Sequence, residues 1–288
     1  MIKFSIPDFW VHYKLNLLFI DLFQSQRDKF FDDVEIDSIY GSFPCIWNGG
    51  RIVPGYTSGI NIENTLKAFN QRGIGVRFTF TNSLLQPEHL SDCLGNQILQ
   101  LGHSTKNSVN ISSPLMKEYI QTYYPKYYIL YSTTMGITDI AKINELSKDN
   151  IVVLDYSLNN NFELLKQLQY PENIEILCSE LCIDDCPYRE EHYKSICQHN
   201  LFQTVEPYQC KFSRYGLSYY NTLTTNQSYV SLDCIREKYL PLGINKFKLN
   251  GRGEQTINVI ERYINYFVKP EYKNDIRNQL LIRYYCLT

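Results

Sequence analysis

Short apolar or β-branched runs that end in turn residues and lead into helical periodicity recur along the chain, the pattern of buried parallel strands joined by helices. Seven such runs predict strands over Asp37–Phe43, Gly75–Thr81, Ser108–Ser112, Tyr127–Ser132, Ile151–Tyr156, Ile174–Ser179 and Lys246–Asn250. Helical spacing of apolar positions falls between them, over Ile62–Arg72, Pro87–Gly102, Pro114–Tyr124, Thr138–Lys148 and Asn161–Leu168. Strand and helix alternate, so parallel strands with right-handed crossovers are expected. The fold class is α/β, and a TIM-like (β/α) barrel, closed or incomplete and distorted, is favoured over an open sheet. Roughly seven or eight units fit into about 250 residues, and no Gly-x-Gly-x-x-Gly or P-loop run marks a nucleotide-binding sheet.

One barrel domain over 1–288 is expected. An amphipathic helix, about Trp10 to Phe31, makes 1–35 an N-terminal helical cover, and the barrel occupies 36–268, ending on a helix over Glu254–Phe267. Residues 269–288 form a C-terminal helical appendage. The rhythm fails over 186–232, rich in Cys, Tyr, Asn and Thr. Stretches that long without periodicity are functional or disordered, and this one reads as a cofactor-loop insertion.

Composition narrows the partners. The 288 residues carry a net charge of −2, so no global basic field points to nucleic acid, although a local basic cleft stays open. Leu15 to Phe23, the most apolar N-terminal stretch, is interrupted by Asp21, and no charged region followed by an apolar core marks a leader. A cytoplasmic protein without membrane insertion is expected. The 24 tyrosines read as coding bias, with stacking on bases or sugars as the minor alternative.

Nine cysteines in a reducing compartment suggest thiols or metal ligands, and an odd count fits poorly with a disulfide framework. Three of them fall in Cys178-Ser-Glu-Leu-Cys182-Ile-Asp-Asp-Cys186, directly after a predicted strand, where α/β folds place their chemistry. The Cys-x-x-x-Cys-x-x-x-Cys spacing lacks the paired Cys-x-x-Cys of zinc knuckles. It also departs from the Cys-x-x-x-Cys-x-x-Cys of radical S-adenosylmethionine enzymes. Cys178 continues an apolar strand and reads as core, and Cys93 and Cys286 lie in helical patterns. The expected ligands are Cys182, Cys186, Cys210 and Cys234, with Cys45 and Cys197 as substitutes. They would hold a [4Fe-4S] cluster, or zinc as the alternative.

Around the cluster, Arg189 could bind an anionic group, Glu180 orient it and His192 transfer protons; a solvated helix start is the competing account. Asn82, Asp155 and Lys248 fall at predicted strand ends, the catalytic face of a barrel, where each could equally cap a loop. Trp47-Asn48-Gly49-Gly50-Arg51 is a second notable loop, whose glycines permit a tight turn or close ligand approach.

Four passages carry a resemblance to the peptidase U32 family: Ile39-Tyr-Gly-Ser-Phe-Pro-Cys45, Thr79-Phe-Thr-Asn82, Ser179-Glu-Leu-Cys182 with Cys186, and Ser231-Leu-Asp-Cys234 followed by Gly243 to Arg252. The family's His-Gly-Ala run is missing, its spacing between the first two cysteines is longer, and Asn250 stands where glutamate is usual. The resemblance implies a barrel with a four-iron cluster on four cysteines, as in members linked to hydroxylation of RNA bases and ubiquinone. The expected activity is therefore a hydroxylation-like redox modification of a nucleic-acid base or a small aromatic substrate, with a second subunit or electron donor as partner. The rivals are a non-catalytic protein stapled by metal and a U32-type peptidase. Against the peptidase, the sequence shows no convincing nucleophile, base and orienter set.

Overall fold

The computed structural model describes residues 1–180, 182–183, 186–204, 206, 208–211, 226–251 and 253–286. Eight parallel strands close a barrel in chain order: β1 (Ile2–Pro7), β2 (Val34–Gly41), β3 (Gly75–Phe80), β4 (Ser108–Ile111), β5 (Tyr128–Tyr131), β6 (Ile151–Val153), β7 (Ile174–Leu177) and β8 (Lys246–Lys248). The expected barrel is thus complete and closed.

One boundary is corrected. The stretch 1–35 is not a helical cover, because Ile2–Pro7 is a barrel strand paired with both β2 and β8. Its residues alternate: Ile2, Phe4 and Ile6 face the helical layer, while Ser5 joins a polar group inside the barrel. The helix that follows, α1 (Tyr13–Ser25), packs in the outer ring against α2 (Gly59–Asn70) and the C-terminal helix α10 (Lys273–Tyr285).

The other helices of the ring are α3 (Cys93–Gly102), α4 (Pro114–Tyr123), α5 (Ile140–Ser147), α6 (Phe162–Leu165) and α9 (Thr256–Phe267). A helix α7 (Arg189–Asn200) and a short α8 (Leu232–Cys234) lie within or beside the insertion. The reading of one helix over Pro87–Gly102 divides at Asp92, whose carboxylate accepts the amide of Gly95 at 2.6 Å and starts α3.

The main core lies between barrel and helices. Phe4, Phe19, Phe30, Tyr263 and Phe267 are fully buried there, with Phe19 stacked on Tyr263 at 4.2 Å. Each such side chain contributes about 1.5–3 kcal/mol of burial. The barrel interior differs. Leu130, Ile151 and Val153 form a small apolar cluster on the β5–β6 side. On the β1–β3 and β7–β8 side the interior is charged: Arg77 meets Glu175 at 2.6 Å, with side chains 3% and 1% exposed. Ser5 donates to Glu175 at 2.8 Å, and Arg77 donates to Ser38 at 3.1 Å.

Candidate functional site

The C-terminal ends of the strands carry the predicted site residues, and three of them turn out to be clamps. Asp155 follows β6; its Oδ1 accepts the backbone N–H and hydroxyl of Ser157, shaping the turn Tyr156–Leu158. Its Oδ2 accepts Nη1 of Arg189 at 2.6 Å, and Nη2 of Arg189 donates to the Thr133 carbonyl at 2.8 Å. The same guanidinium lies 4.2 Å from the centre of the Tyr156 ring. Arg189 and Asp155 therefore fasten the first turn of α7 to the ends of β5 and β6. Asn82, after β3, donates to the carbonyls of Ile46 at 2.8 Å and Cys197 at 3.2 Å, and its Oδ1 accepts the Leu84 amide. Asn82 thus ties α7 to two neighbouring loops.

The Trp47–Arg51 loop packs closely on the protein itself. A Cβ on Gly49 would fall 2.1 Å from the Thr81 carbonyl oxygen, so only glycine lets this loop lie against the β3 end. Asn200, at the end of α7, donates to the carbonyl of Asn48 at 2.5 Å and to that of Arg51 at 3.2 Å. The Arg51 side chain passes over Gly253 and acts electrostatically on His192 and Tyr193.

The cysteines separate into groups. Cys182 and Cys186 lie close enough to act on each other electrostatically, and Tyr156 also acts on the Cys182 thiol. Burial, reinforced by Glu180, pushes the Cys182 thiol up to about 11, so it is protonated near neutral pH unless a cation binds it. Glu180 accepts the Cys182 amide at 2.9 Å, and Asn226 donates to the carbonyls of Glu180 and Cys182. Tyr208 acts on both Cys186 and Cys210, which places Cys210 on the same side. Cys234 has other neighbours. It lies on α8 with its thiol 3.7 Å from Asn160 Oδ1, facing the buried Cys178.

The substitutes are elsewhere. Cys45 lines a cleft of about 270 Å³ with His199 and Phe202, its thiol 3.9 Å from Asp92 and pushed up by burial. Cys197 is buried on α7, 3.7 Å from the Ser83 hydroxyl.

His192 stacks on Tyr208 at 4.7 Å, and burial with the nearby Arg51 charge lowers its pKa, so the imidazole is neutral at pH 7. Lys248 points into the barrel, 4.0 Å from the centre of the Tyr40 ring and acting on Glu175. Residues that sequence reasoning passed over complete the mouth: Tyr156, Tyr193, and the ion pair of Arg262 with Glu254 at 3.1 Å. Tyr156 directly follows Asp155 at a strand end, a signal hidden among 24 tyrosines. Arg252, which carried part of the family resemblance, lies outside the described residues, as do positions 212–225 of the insertion.

Whether these residues suit a metal centre is decided by their placement. Among the described residues no group of three His, Cys, Asp or Glu is set to hold a metal ion. Cys182 and Cys186 fit such a centre as a pair of soft donors near one another. Cys210, like Cys186, acts on Tyr208, and Cys234, turned to Asn160, does not join them in this arrangement. No described helix is long and apolar enough to cross a membrane.

No protein-family model and no curated protein matches the chain. The solved structure of the U32 peptidase Mk0906 is similar to it, with a TM-score of 0.55 and 15% identity over 88% of this chain and 94% of that one. The likeness runs through the whole barrel, as the four sequence passages led one to expect, and at this identity it concerns architecture. The chain is a closed (β/α) barrel with the fold of a U32 peptidase.

Proposed function

We propose that the chain is an enzyme working at the barrel mouth, where Cys182 and Cys186, with Cys210 beside them, hold an iron–sulfur cluster. Its reaction is a hydroxylation-like redox modification of a nucleic-acid base or a small aromatic compound. The observation that supports this reading is the closeness of Cys182 and Cys186 beyond the end of β7, near Tyr156, Tyr193, Tyr208 and His192. The cluster would supply one-electron chemistry. The chain supplies flat aromatic surfaces for a planar substrate, a neutral His192 able to accept a proton, and the Arg189–Asp155 clamp that fixes the wall of the site. A [4Fe-4S] cluster takes four protein ligands in the common case, and Cys234 is the fourth candidate from the sequence. An external electron donor and an external oxygen-atom donor belong to this reading, since a hydroxylation needs an oxidant that supplies the inserted oxygen.

Purification without oxygen, followed by iron and sulfide analysis and a visible spectrum, tests it. A brown protein with matching iron and sulfide is expected. A colourless protein carrying one equivalent of zinc would overturn the reading and favour a metal staple that merely presents a surface. Proteolysis is the second reading, favoured by the fold shared with a U32 peptidase. Peptidase activity that survives replacement of Cys182, Cys186, Cys210 and Cys234 by serine would support it.

A further inference from the structure

We propose that the cleft beside Phe202 is a self-association socket, and that in a two-fold pair of chains each Phe202 ring enters the cleft of the other copy. None of Cys182, Cys186, Cys210 and Cys234 lines that cleft. Helix α7 ends on an outlier. The amide of Phe202 donates to the His199 carbonyl at 3.0 Å and that of Gln203 to the Gln198 carbonyl at 2.9 Å, the pair of bonds that closes a helix through a left-handed residue. Phe202 holds that left-handed position, with φ of 58°, where glycine is the usual residue because it has no Cβ to clash. The ring gains little burial from its own chain in return, since Phe202 is 86% exposed. A strained backbone that presents a large apolar side chain to water points to a contact outside the chain.

Phe202 stands at the lip of a fitting socket. It borders the cleft of about 270 Å³, to which Ile46, Val53 and Leu94 give apolar walls and the exposed Ile52 adds further apolar surface. A cavity of about 150 Å³ accepts a benzene ring, so a phenyl side chain fits here with room to spare. The lining holds a single carboxylate, Asp92, beside His199, and so presents no single-sign field that would repel its own copy or select a strongly charged partner. A net charge of −2 per chain likewise opposes pairing only weakly. Adjacency sets the symmetry. A knob and a socket far apart on one molecule pair head to tail and grow into open chains, whereas a knob at the lip of its own socket lets a two-fold axis satisfy both contacts at once. Association therefore stops at two copies. The patch is small, so the pair is expected to be weak and concentration-dependent. The contact ends on α7, whose first turn Arg189 fastens at the barrel mouth, so pairing also steadies a wall of that mouth.

The test is sedimentation equilibrium of the full chain over a series of concentrations, without oxygen and under reducing conditions so that the exposed Cys93 and Cys286 form no cross-links. The mass of the wild type is expected to rise from one chain towards two and no further. Phe202→Gly removes the knob and relieves its backbone, and should stay a single chain with a wild-type circular dichroism spectrum. Val53→Asp puts a charge into the socket and leaves the knob intact, and should stay single as well; should it not fold, Ile52→Asp at the exposed edge takes its place. A wild-type chain that stays single at every concentration would overturn the proposal, whether a small apolar ligand then proves to fill the cleft or nothing does. So would pairing that survives Phe202→Gly with unchanged affinity, or growth beyond two copies, which a two-fold exchange forbids. Pairing lost in Phe202→Gly yet kept in the socket variant would show ring packed against ring and would overturn the socket.

Discussion

Arg77 and Glu175 show what single residues decide here. Each is almost fully buried inside the barrel, and each is the other's partner. Such pairs add little net stability when intact, but loss of one partner leaves an unpaired charge and costs about 3–5 kcal/mol. Urea unfolding of Arg77→Ala is expected to show a loss of that order; a loss under about 1 kcal/mol would mean that water reaches the barrel interior. Burial pushes the Glu175 carboxyl up, and Arg77 with Lys248 outweighs it, so the net shift is downward. A lowered carboxylate stabilises the fold fully above its unfolded pKa of about 4.3, and that stabilisation is lost as pH falls through the lower folded value. The stability gap between wild type and Glu175→Gln should therefore narrow on acidification below pH ~4. A gap independent of pH would show that Glu175 titrates alike in the folded and unfolded chain, and a gap that widens on acidification would show that it is protonated when folded. The same scale explains Asn82, Asp155 and Arg189. Strand-end position marked Asn82 and Asp155, and nearness to the cysteine cluster marked Arg189, but position alone does not reveal that their donors and acceptors are committed to the backbone and to each other.

Elements were legible in proportion to how apolar they are. Strands β2 to β8 were readable because at least one face is a run of Val, Ile, Leu or Phe, although the predicted ends ran on, as at Ile151–Tyr156, where Asp155 caps a turn. Strand β1 was hidden. Its alternation of Ile2, Phe4 and Ile6 with Lys3 and Ser5 is the signature of a strand facing water, whereas here the polar face turns into a charged barrel interior. Helix α7 was legible only as a solvated helix start at Arg189, for the opposite reason. It buries only Ile196 and Cys197, so it has no apolar stripe, and amide clamps hold it in place of packing. Removing the Asn82 clamp takes the amide donor from the Ile46 carbonyl and leaves the Cys197 carbonyl with the Leu201 amide alone, a loss of about 1 kcal/mol per hydrogen bond. Hydrogen exchange of Asn82→Ala is expected to lose protection across 189–200 while β4 and β5 keep theirs. Equal protection in α7 would show that other contacts hold it.

At the scale of the whole molecule, the closed barrel followed from alternation of strands and helices, and the likeness to a U32 peptidase carries the same architecture. The candidate site was legible only in part. Cys182 and Cys186 are neighbours in sequence and in space, whereas Cys210 and Cys234 were chosen as single cysteines beyond a long insertion, where spacing says nothing about which way a thiol turns. The aromatic shell was not readable at all, since tyrosines from β6, α7 and the insertion meet only after the chain folds. The account depends on the Cys182–Cys186 pair being the metal-binding heart of the mouth, and one comparison addresses it directly. Iron and sulfide per chain should be measured in anaerobic wild type, in Cys182→Ser/Cys186→Ser, and in Cys93→Ser/Cys286→Ser, whose two cysteines are exposed on outer helices. The account predicts iron and sulfide in the first and third proteins and their loss in the second; a double variant at 182 and 186 that keeps its iron would contradict it.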